Sequence, residues 1–365
     1  MNDSSPITQF DHDMMQRCLT LASKASGKTS PNPLVGAVVV QDGKIVGEGF
    51  HPQAGEPHAE VFALRDAGEK AIGATVYVNL EPCNHYGRTP PCSQGLVAAK
   101  VKKVVVGMVD PNPLVAGKGI ETLRNAGIEV ITGVEEEACQ LLNEAFVHRI
   151  LHKIPFGILK YAMTLDGKIA SSTGHSRWVT STESRRYVHK LRSSCDAIVV
   201  GGNTLRQDNP YLTSHGVSNH NPLRVVMSRT LNVPCDRNLW NIEEASTVVF
   251  TEEKCNKKVY ENLRQKGVEI KMFSRLTSQL VMKDLYERGL TKILWECGGI
   301  LAANAISEGV IQKVMAFIAP KIIGGEIAPS PVGNLGLNLM SEAIALNRIN
   351  IQKVESDFLI EGYIN

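Results

Sequence analysis

The chain has 365 residues, too many for one ordinary core, and its 43% hydrophobic and 21% charged content predicts two globular domains of comparable size. Lysine and arginine number 39 against 37 acidic residues, so no overall positive field draws the protein to nucleic acid or anionic lipid, and the expected partners are small molecules. The opening residues, Met1-Asn2-Asp3-Ser4-Ser5-Pro6, lack a basic run leading into an apolar stretch, and nowhere do about 18 apolar residues follow one another, so a cytoplasmic protein without a membrane segment is expected.

In chain order, the first element is a helix over 10–25, with Phe10, Met14, Cys18, Leu21 and Ala25 as its apolar stripe and Gly27 as its stop. Strands over 34–40 and 45–50 flank Gln41-Asp42-Gly43-Lys44, a hairpin signal with an Asp-Gly turn. Pro57 suits the first turn of a helix that carries His58 and Glu60 and ends at Gly68. A strand over 74–80 leads into a cysteine loop, a helix runs from Cys92 to about residue 100, and a strand over 103–109 precedes a glycine-led helix-strand pair. Strands alternating with helices indicate a three-layer α/β domain. A glutamate-rich helix over 134–150, whose Glu135-Glu136-Glu137 complements the helix dipole as a solvated face, then leads to Pro155 and the domain boundary. The expected division is 1–150 and 155–365.

His58-Ala59-Glu60 and the loop Pro82-Cys83-Asn84-His85-Tyr86-Gly87-Arg88-Thr89-Pro90-Pro91-Cys92 carry the first half's chemistry. One imidazole and two thiolates, His58, Cys83 and Cys92, make three ligands for a tetrahedral zinc ion, which leaves its fourth position open for water. Glu60 is placed to take that water's proton. Residues two apart on a helix diverge by about 200°, so His58 must stand where the helix is only starting. Cys92, at a helix N-terminus, is expected to have its thiolate stabilised by unpaired backbone N–H groups. The competing reading is a structural zinc knot with His85 as fourth ligand, which leaves Glu60 without purpose. The remaining cysteines, Cys18, Cys139, Cys195, Cys235, Cys255 and Cys297, read as reduced, small, buried apolar residues.

This segment resembles the cytidine-deaminase-like family, and its eight-residue gap between cysteines resembles the branch formed by the bifunctional riboflavin-biosynthesis deaminase/reductases. Ser30-Pro31-Asn32-Pro33-Leu34-Val35-Gly36, His51 ahead of Gly55-Glu56-Pro57-His58-Ala59-Glu60, and Asp110-Pro111-Asn112-Pro113 are further marks of that branch. The resemblance implies a zinc-dependent pyrimidine deaminase over 1–150, acting on 2,5-diamino-6-(5-phosphoribosylamino)pyrimidin-4-one and giving 5-amino-6-(5-phosphoribosylamino)uracil. Glu60 is then the catalytic proton shuttle, and Asn32, His51, His85, Arg88 and Thr89 bind the substrate, Asn32 through a pyrimidine edge and the loop residues through the ribose phosphate.

The second half restarts with a strand over 155–163 and continues through strands over 197–200, 223–227, 247–250, 268–272, 292–295 and 314–319, with helices such as 182–192 and 257–266 between them. Segments 349–354 and 358–363 read as a hairpin, so a mostly parallel sheet with an antiparallel edge is expected. Gly298-Gly299 after a strand is compatible with a phosphate-holding loop but lacks the Gly-x-Gly-x-x-Gly fingerprint.

The run Lys160-Tyr161-Ala162-Met163-Thr164-Leu165-Asp166-Gly167-Lys168, with Ser176-Arg177-Trp178, Thr204-Leu205-Arg206-Gln207-Asp208-Asn209-Pro210 and Glu296-Cys297-Gly298-Gly299, resembles the reductase half of the same family, a dihydrofolate-reductase-like fold over 155–365. It implies NADPH-dependent reduction of the ribosyl group to ribityl. Carried over by motif, Ala162, Trp178, Thr204, Asp208, Gly298 and Gly299 contact the nucleotide, while Lys160, Ser176, Arg192, Leu212 and Glu296 contact the sugar-phosphate substrate. Arg192 suits either phosphate binding or a solvated helix face. The chain departs from the family at Ser214-His215, where an arginine is frequent, and at Ser228, where an aspartate often ends the strand. The rival reading is a nucleoside or tRNA deaminase fused to an unrelated reductase-like domain, which the near-neutral charge disfavours. The chain is expected to form a homo-oligomer.

Overall fold

The computed structural model describes residues 6–86, 90–113 and 115–364. The chain separates into two compact units, Met1–Lys153 and Ile154–Asn365. Among the described residues no helix is long and apolar enough to cross a membrane.

The first unit runs α1 (Gln9–Ser23), β1 (Gly36–Gln41), β2 (Lys44–Phe50), α2 (Ala59–Ala67), β3 (Thr75–Leu80), α3 (Cys92–Ala98), β4 (Lys103–Met108), α4 (Lys118–Asn125), β5 (Glu129–Thr132), α5 (Glu136–Leu142) and α6 (Glu144–His152). Its sheet has the order β2-β1-β3-β4-β5, with β1 antiparallel to both neighbours and β3, β4 and β5 parallel. Strand side chains alternate between faces, and here both faces are covered. Val39, Val76, Val78, Val104 and Val106 meet Ala59, Ala63, Leu96 and Leu123 of α2, α3 and α4, while Val38, Tyr77 and Val105 meet Met15, Cys18 and Cys139 of α1 and α5. Three layers result.

Three expectations shift. The buried stripe of α1 is Asp11, Met15, Cys18, Leu21 and Ala22, one position out of phase at its start from the expected Phe10 and Met14, because Thr8 closes a capping box with Asp11 and Tyr77 Oη donates to the Asp11 carboxylate at 2.8 Å. The single helix expected over 134–150 is broken at Asn143, which is 2% exposed. Its side chain accepts from Leu34 N at 2.8 Å and donates to Leu34 O at 3.0 Å, so it serves the strand entry next door. Glu135 is no free solvated charge either, since its carboxylate holds His12 and Gln16 of α1, each at 2.6 Å.

The second unit comprises β6 (Phe156–Thr164), α7 (Thr182–Ser193), β7 (Ala197–Gly201), α8 (Gly202–Asp208), β8 (Leu223–Met227), β9 (Thr247–Glu252), α9 (Lys257–Gln265), β10 (Glu269–Phe273), α10 (Ser278–Glu287), β11 (Lys292–Trp295), α11 (Gly299–Ser307), β12 (Lys313–Ala319), β13 (Asn347–Val354) and β14 (Asp357–Tyr363). They build a nine-stranded sheet, β10-β9-β8-β7-β11-β6-β12-β14-β13, parallel from β10 to β12. The closing hairpin is antiparallel, as its sequence predicts. Leu159, Val199, Val225, Phe250 and Trp295 from the strands pack with Met282 and Leu285 of α10 and Ala302 and Ala305 of α11. All eight cysteines are free thiols, and Cys235 and Cys297 are only partly buried, unlike the other four outside the metal motif.

Candidate active sites

The first site sits where α2 and α3 begin. His58 is the N-cap of α2, with extended backbone (φ −75°, ψ 164°), so its ring leaves the helix before the helical twist can separate it from Glu60. His58 Nδ1 lies 3.5 Å from Cys83 Sγ and 3.2 Å from Cys92 Sγ, and the three ligand atoms fall within 4.8 Å of one another. Atoms bound at about 2.0–2.3 Å to one tetrahedral metal lie roughly 3.5 Å apart, so this donor set fits zinc. No fourth described side chain joins the cluster, and His85 is exposed.

The Cys92 N–H at the start of α3 donates to Cys83 Sγ at 3.3 Å, so the helix terminus stabilises the other thiolate from the one expected. The bond from the Cys92 thiol, against the cost of burial, brings Cys83 down to about 4. Cys92 is pushed up because it holds the proton the pair shares.

Glu60, in the first turn of α2, is 3% exposed, and its Oε2 has no hydrogen-bond partner. Burial raises its pKa above the ordinary carboxylate range. A buried carboxyl with one oxygen unpartnered, beside three ligands, is what a centre with one open corner requires.

His51 is 2% exposed, with Nδ1 3.0 Å from the Pro57 carbonyl and Nε2 3.1 Å from Asn32 Nδ2. A carbonyl only accepts, so Nδ1 carries the proton and Nε2 takes one from the Asn32 amide. Burial, which lowers the His51 pKa, favours that neutral form. The pairing turns the Asn32 carboxamide so that its oxygen is left for a ligand. Both ring nitrogens of His51 are thereby used within the protein. Arg88 and Thr89 lie outside the described residues. Asn79 is a residue the sequence reading missed: fully buried, it accepts from Gly36 N at 2.8 Å and donates to Leu34 O at 3.0 Å, and so fixes the segment that follows Asn32.

In the second unit a cavity of about 740 Å³ opens at the C-terminal ends of β6, β7 and β11, the usual ligand position in an open α/β sheet. Every expected reductase residue lines it except Gly299. A Cβ on Gly299 would meet Ser330 O at 2.8 Å, so this glycine is required by packing against the 330–333 loop. Gly298 has nothing within 4 Å of its Cβ direction, which leaves an open cradle at the N-terminus of α11 of the kind a nucleotide phosphate occupies.

Arg192 is no solvated helix face, since its side chain lines the cavity and is 12% exposed. It forms a bidentate pair with Glu296 at 2.6 and 3.0 Å and also donates to Thr213 O at 3.3 Å. Lys160 Nζ stands 3.7 Å from the same carboxylate. Burial opposes ionisation of Glu296, but Arg192 and Lys160 outweigh it and hold its pKa at about 2. Two cations against one anion leave a net positive charge in the cavity wall.

Trp178 is 61% exposed, with the Arg185 guanidinium 4.4 Å above its ring. Ser176 Oγ donates to Asp208 at 3.4 Å, and burial raises the Asp208 pKa. The His189 and His215 rings stack at 4.2 Å in the same wall. Ser214 is buried and hydrogen-bonds Asn221, so of the two departures at that turn only His215 faces the cavity. Ser228, 8% exposed, lies against Gly202 at the start of α8.

A three-ligand centre with a buried acid on a three-layer frame defines a hydrolytic zinc deaminase, and the second unit's cleft is that of a nicotinamide-dependent reductase. The sequence model of the cytidine and deoxycytidylate deaminase zinc-binding region matches residues 8–108, and that of the RibD C-terminal domain matches residues 155–360. The riboflavin biosynthesis protein RibD of Synechocystis sp. is 59% identical over 97% of this chain and 96% of its own, and that of Aquifex aeolicus 44% over 97% and 98%. The crystal structure of a Thermotoga maritima diaminohydroxyphosphoribosylaminopyrimidine deaminase/5-amino-6-(5-phosphoribosylamino)uracil reductase superposes with a TM-score of 0.87 at 37% identity, covering 98% of this chain and 99% of that one. Acinetobacter baumannii RibD gives 0.87 at 36% identity, with the same coverage.

The chain belongs to the RibD family of bifunctional riboflavin-biosynthesis enzymes. It joins a cytidine-deaminase-like fold to a dihydrofolate-reductase-like fold, combines hydrolase with oxidoreductase activity, and uses Zn2+ and NADPH. The rival fusion of a nucleoside or tRNA deaminase to an unrelated second half is not favoured, since both halves match one family end to end.

Proposed function

We propose that the first unit hydrolyses the 2-amino group from 2,5-diamino-6-(5-phosphoribosylamino)pyrimidin-4-one, and that the second reduces the ribosyl group of the resulting 5-amino-6-(5-phosphoribosylamino)uracil to ribityl. The observation that carries the reading is the unpartnered Glu60 Oε2 beside His58, Cys83 and Cys92. Those three side chains would hold zinc, which when bound supplies the Lewis acidity that makes water a nucleophile at neutral pH. Glu60 takes a proton from the attacking water and passes it to a ring nitrogen, then takes the proton of the newly attached hydroxyl and gives it to the amine, which leaves as ammonia while the carbonyl forms. Its raised pKa suits a group that must both accept and donate. Asn32 holds a pyrimidine edge through its free carbonyl oxygen, and His51 acts by keeping that amide turned. His85, Arg88 and Thr89 take the ribose-phosphate end.

In the second unit Ala162, Trp178, Thr204, Asp208 and the Gly298-Gly299 turn would hold NADPH, which when bound supplies the hydride. Lys160, Ser176, Arg192, Leu212 and Glu296 surround the sugar phosphate, the net positive charge of the Lys160–Arg192–Glu296 cluster drawing the anionic substrate. The domains are accordingly 1–150 and 155–365. Near-neutral charge supports small-molecule substrates, not nucleic acid, for a cytoplasmic protein, and the exposed Ile349 and Ile351 on the edge strand β13 support a homo-oligomer.

Mass spectrometry of the product tests both halves. A single deamination without NADPH, and two further hydrogens with it, is expected. Ammonia release from cytidine or tRNA adenosine, but not from the diaminopyrimidine, would overturn the assignment.

A further inference from the structure

Lys321 stands two residues past the end of β12 and is used by none of the steps above. Its ammonium donates to two successive carbonyls, Trp178 O and Val179 O, each at 2.8 Å. A charged donor makes such bonds roughly twice as strong as neutral ones. The lysine therefore grips the backbone of Trp178 and leaves its ring to another group. Arg185 supplies that group, with its guanidinium 4.4 Å above the indole while it donates to Thr180 O and Thr182 Oγ1, each at 2.9 Å.

The grip has a firm base. β12 runs parallel to β6, with Phe317 opposite Ala162 and Ala319 opposite Thr164. Past those strand ends the two stretches stay joined. Lys321 O accepts from Leu165 N at 2.8 Å, the Asp166 carboxylate accepts from Gly324 N at 2.7 Å and Ile323 N at 3.3 Å, and Pro329 O accepts from Ile169 N at 2.9 Å. Segment 320–329 is thus bound along the turn that follows β6, and the Lys321 side chain carries that anchorage across to Trp178. Ala162 on β6 and Trp178 line the same cavity from separate stretches of chain, and Lys321 ties them to one frame.

We infer that Lys321 is a positioning residue for NADPH binding, fastening the backbone of Trp178 to the frame of β6 and β12 so that the indole stands in the cavity wall before the dinucleotide arrives. The inference rests on the reading of Trp178 as a nucleotide contact. A contact held in place beforehand need not be ordered by the ligand, and affinity gains accordingly.

The experiment is Lys321→Met in the full chain, which keeps an unbranched apolar stem and removes the donors. The dissociation constant for NADPH, measured by titration calorimetry, should rise about three- to tenfold, as expected when one large side chain must be ordered on binding. At saturating NADPH, kcat should stay within about twofold of the parent, and ammonia release should not change. A second readout follows the indole itself. Of the three tryptophans, Trp240 and Trp295 are buried and Trp178 is exposed, so fast depolarisation of the fluorescence reports Trp178. Time-resolved anisotropy should show a larger fast component in the unliganded variant than in the unliganded parent. A lowered Tm with unchanged NADPH affinity is the mark of a purely structural lysine and overturns the inference, as does indole motion equal to the parent's. Unchanged NADPH affinity in Trp178→Ala would instead overturn the reading of Trp178 as a nucleotide contact.

Discussion

Gly47 and Gly49 on β2 set the height of α2 above the sheet, and Gly49→Ala should slow deamination without touching a catalytic group. A Cβ at Gly49 would lie 2.5 Å from Ala59 O and Ala63 N and 2.6 Å from Phe62 Cβ. Ordinary contact begins at 3.4 Å, so strand and helix must part by about 0.9 Å, and no flexible side-chain end can yield, because two of those atoms are backbone and the third is a Cβ. Ala59 adjoins Glu60, so the displacement falls on the proton shuttle. A misplacement of about 1 Å costs on the order of 100-fold in rate, and overpacking costs about 1–3 kcal/mol. For a unit of this size that is a fall in Tm of roughly 2–12 °C. Ammonia release at saturating substrate measures the effect, with zinc content and reduction of pre-deaminated substrate as internal controls. Gly43→Ala is the comparison: Gly43 sits at a turn with φ +72° and open space around it, so alanine there costs stability alone. A Gly49→Ala protein that retains its zinc and a kcat within about twofold of the parent would refute the argument that helix height places Glu60.

Glu60→Gln should keep zinc and the reductase step while kcat for ammonia release falls by about 10²–10⁴-fold, the usual range for a lost acid-base group. Glu296→Ala strands Arg192 and Lys160 as unpaired buried cations, for which about 3–5 kcal/mol is expected; calorimetry should show a large drop in the Tm of the second unit, and a change under about 1 kcal/mol would count against the pairing. Burial, aided by His152 and His215 respectively, brings His148 and His189 down to about 4. The unfolded chain therefore takes up those protons first, near pH 6.5, so stability is full above that pH and declines as pH falls toward 4. Urea midpoints between pH 7 and pH 5 measure this, and His189→Gln should flatten the decline of the second unit.

The strands were legible because β-branched runs such as Val38-Val39-Val40 and Val104-Val105-Val106 leave little alternative. The metal site was legible because its ligand types and spacing are constrained by coordination geometry, and the three side chains do converge. What escaped depends on partners distant in sequence. The sequence offers apolar residues at both Met14 and Met15, and the Thr8–Asp11 capping box and the Tyr77–Asp11 bond decide which one is buried. Asn143 reads as an ordinary helix residue until Leu34 is placed beside it. The buried Glu81 carries no local signal for the backbone N–H groups of Asp110, Gly117, Gly119 and Ile120 that its carboxylate accepts from, about 30–40 residues downstream. Nor does Arg192 for its partner Glu296 on another element, and so a solvated helix face does not describe it.

The position of β6 bears on biosynthesis of the chain. It is the first strand of its unit, yet it lies between β11 and β12, whose paired residues follow roughly 135 to 155 positions later. A growing polypeptide therefore displays an apolar ribbon, Phe156 to Leu159, with neither flank paired until most of the unit has left the ribosome. Truncation at any point before β12 deprives that ribbon of a neighbour, so shortened forms of this half should aggregate where the intact chain folds, and expression should favour slow synthesis or chaperone supply.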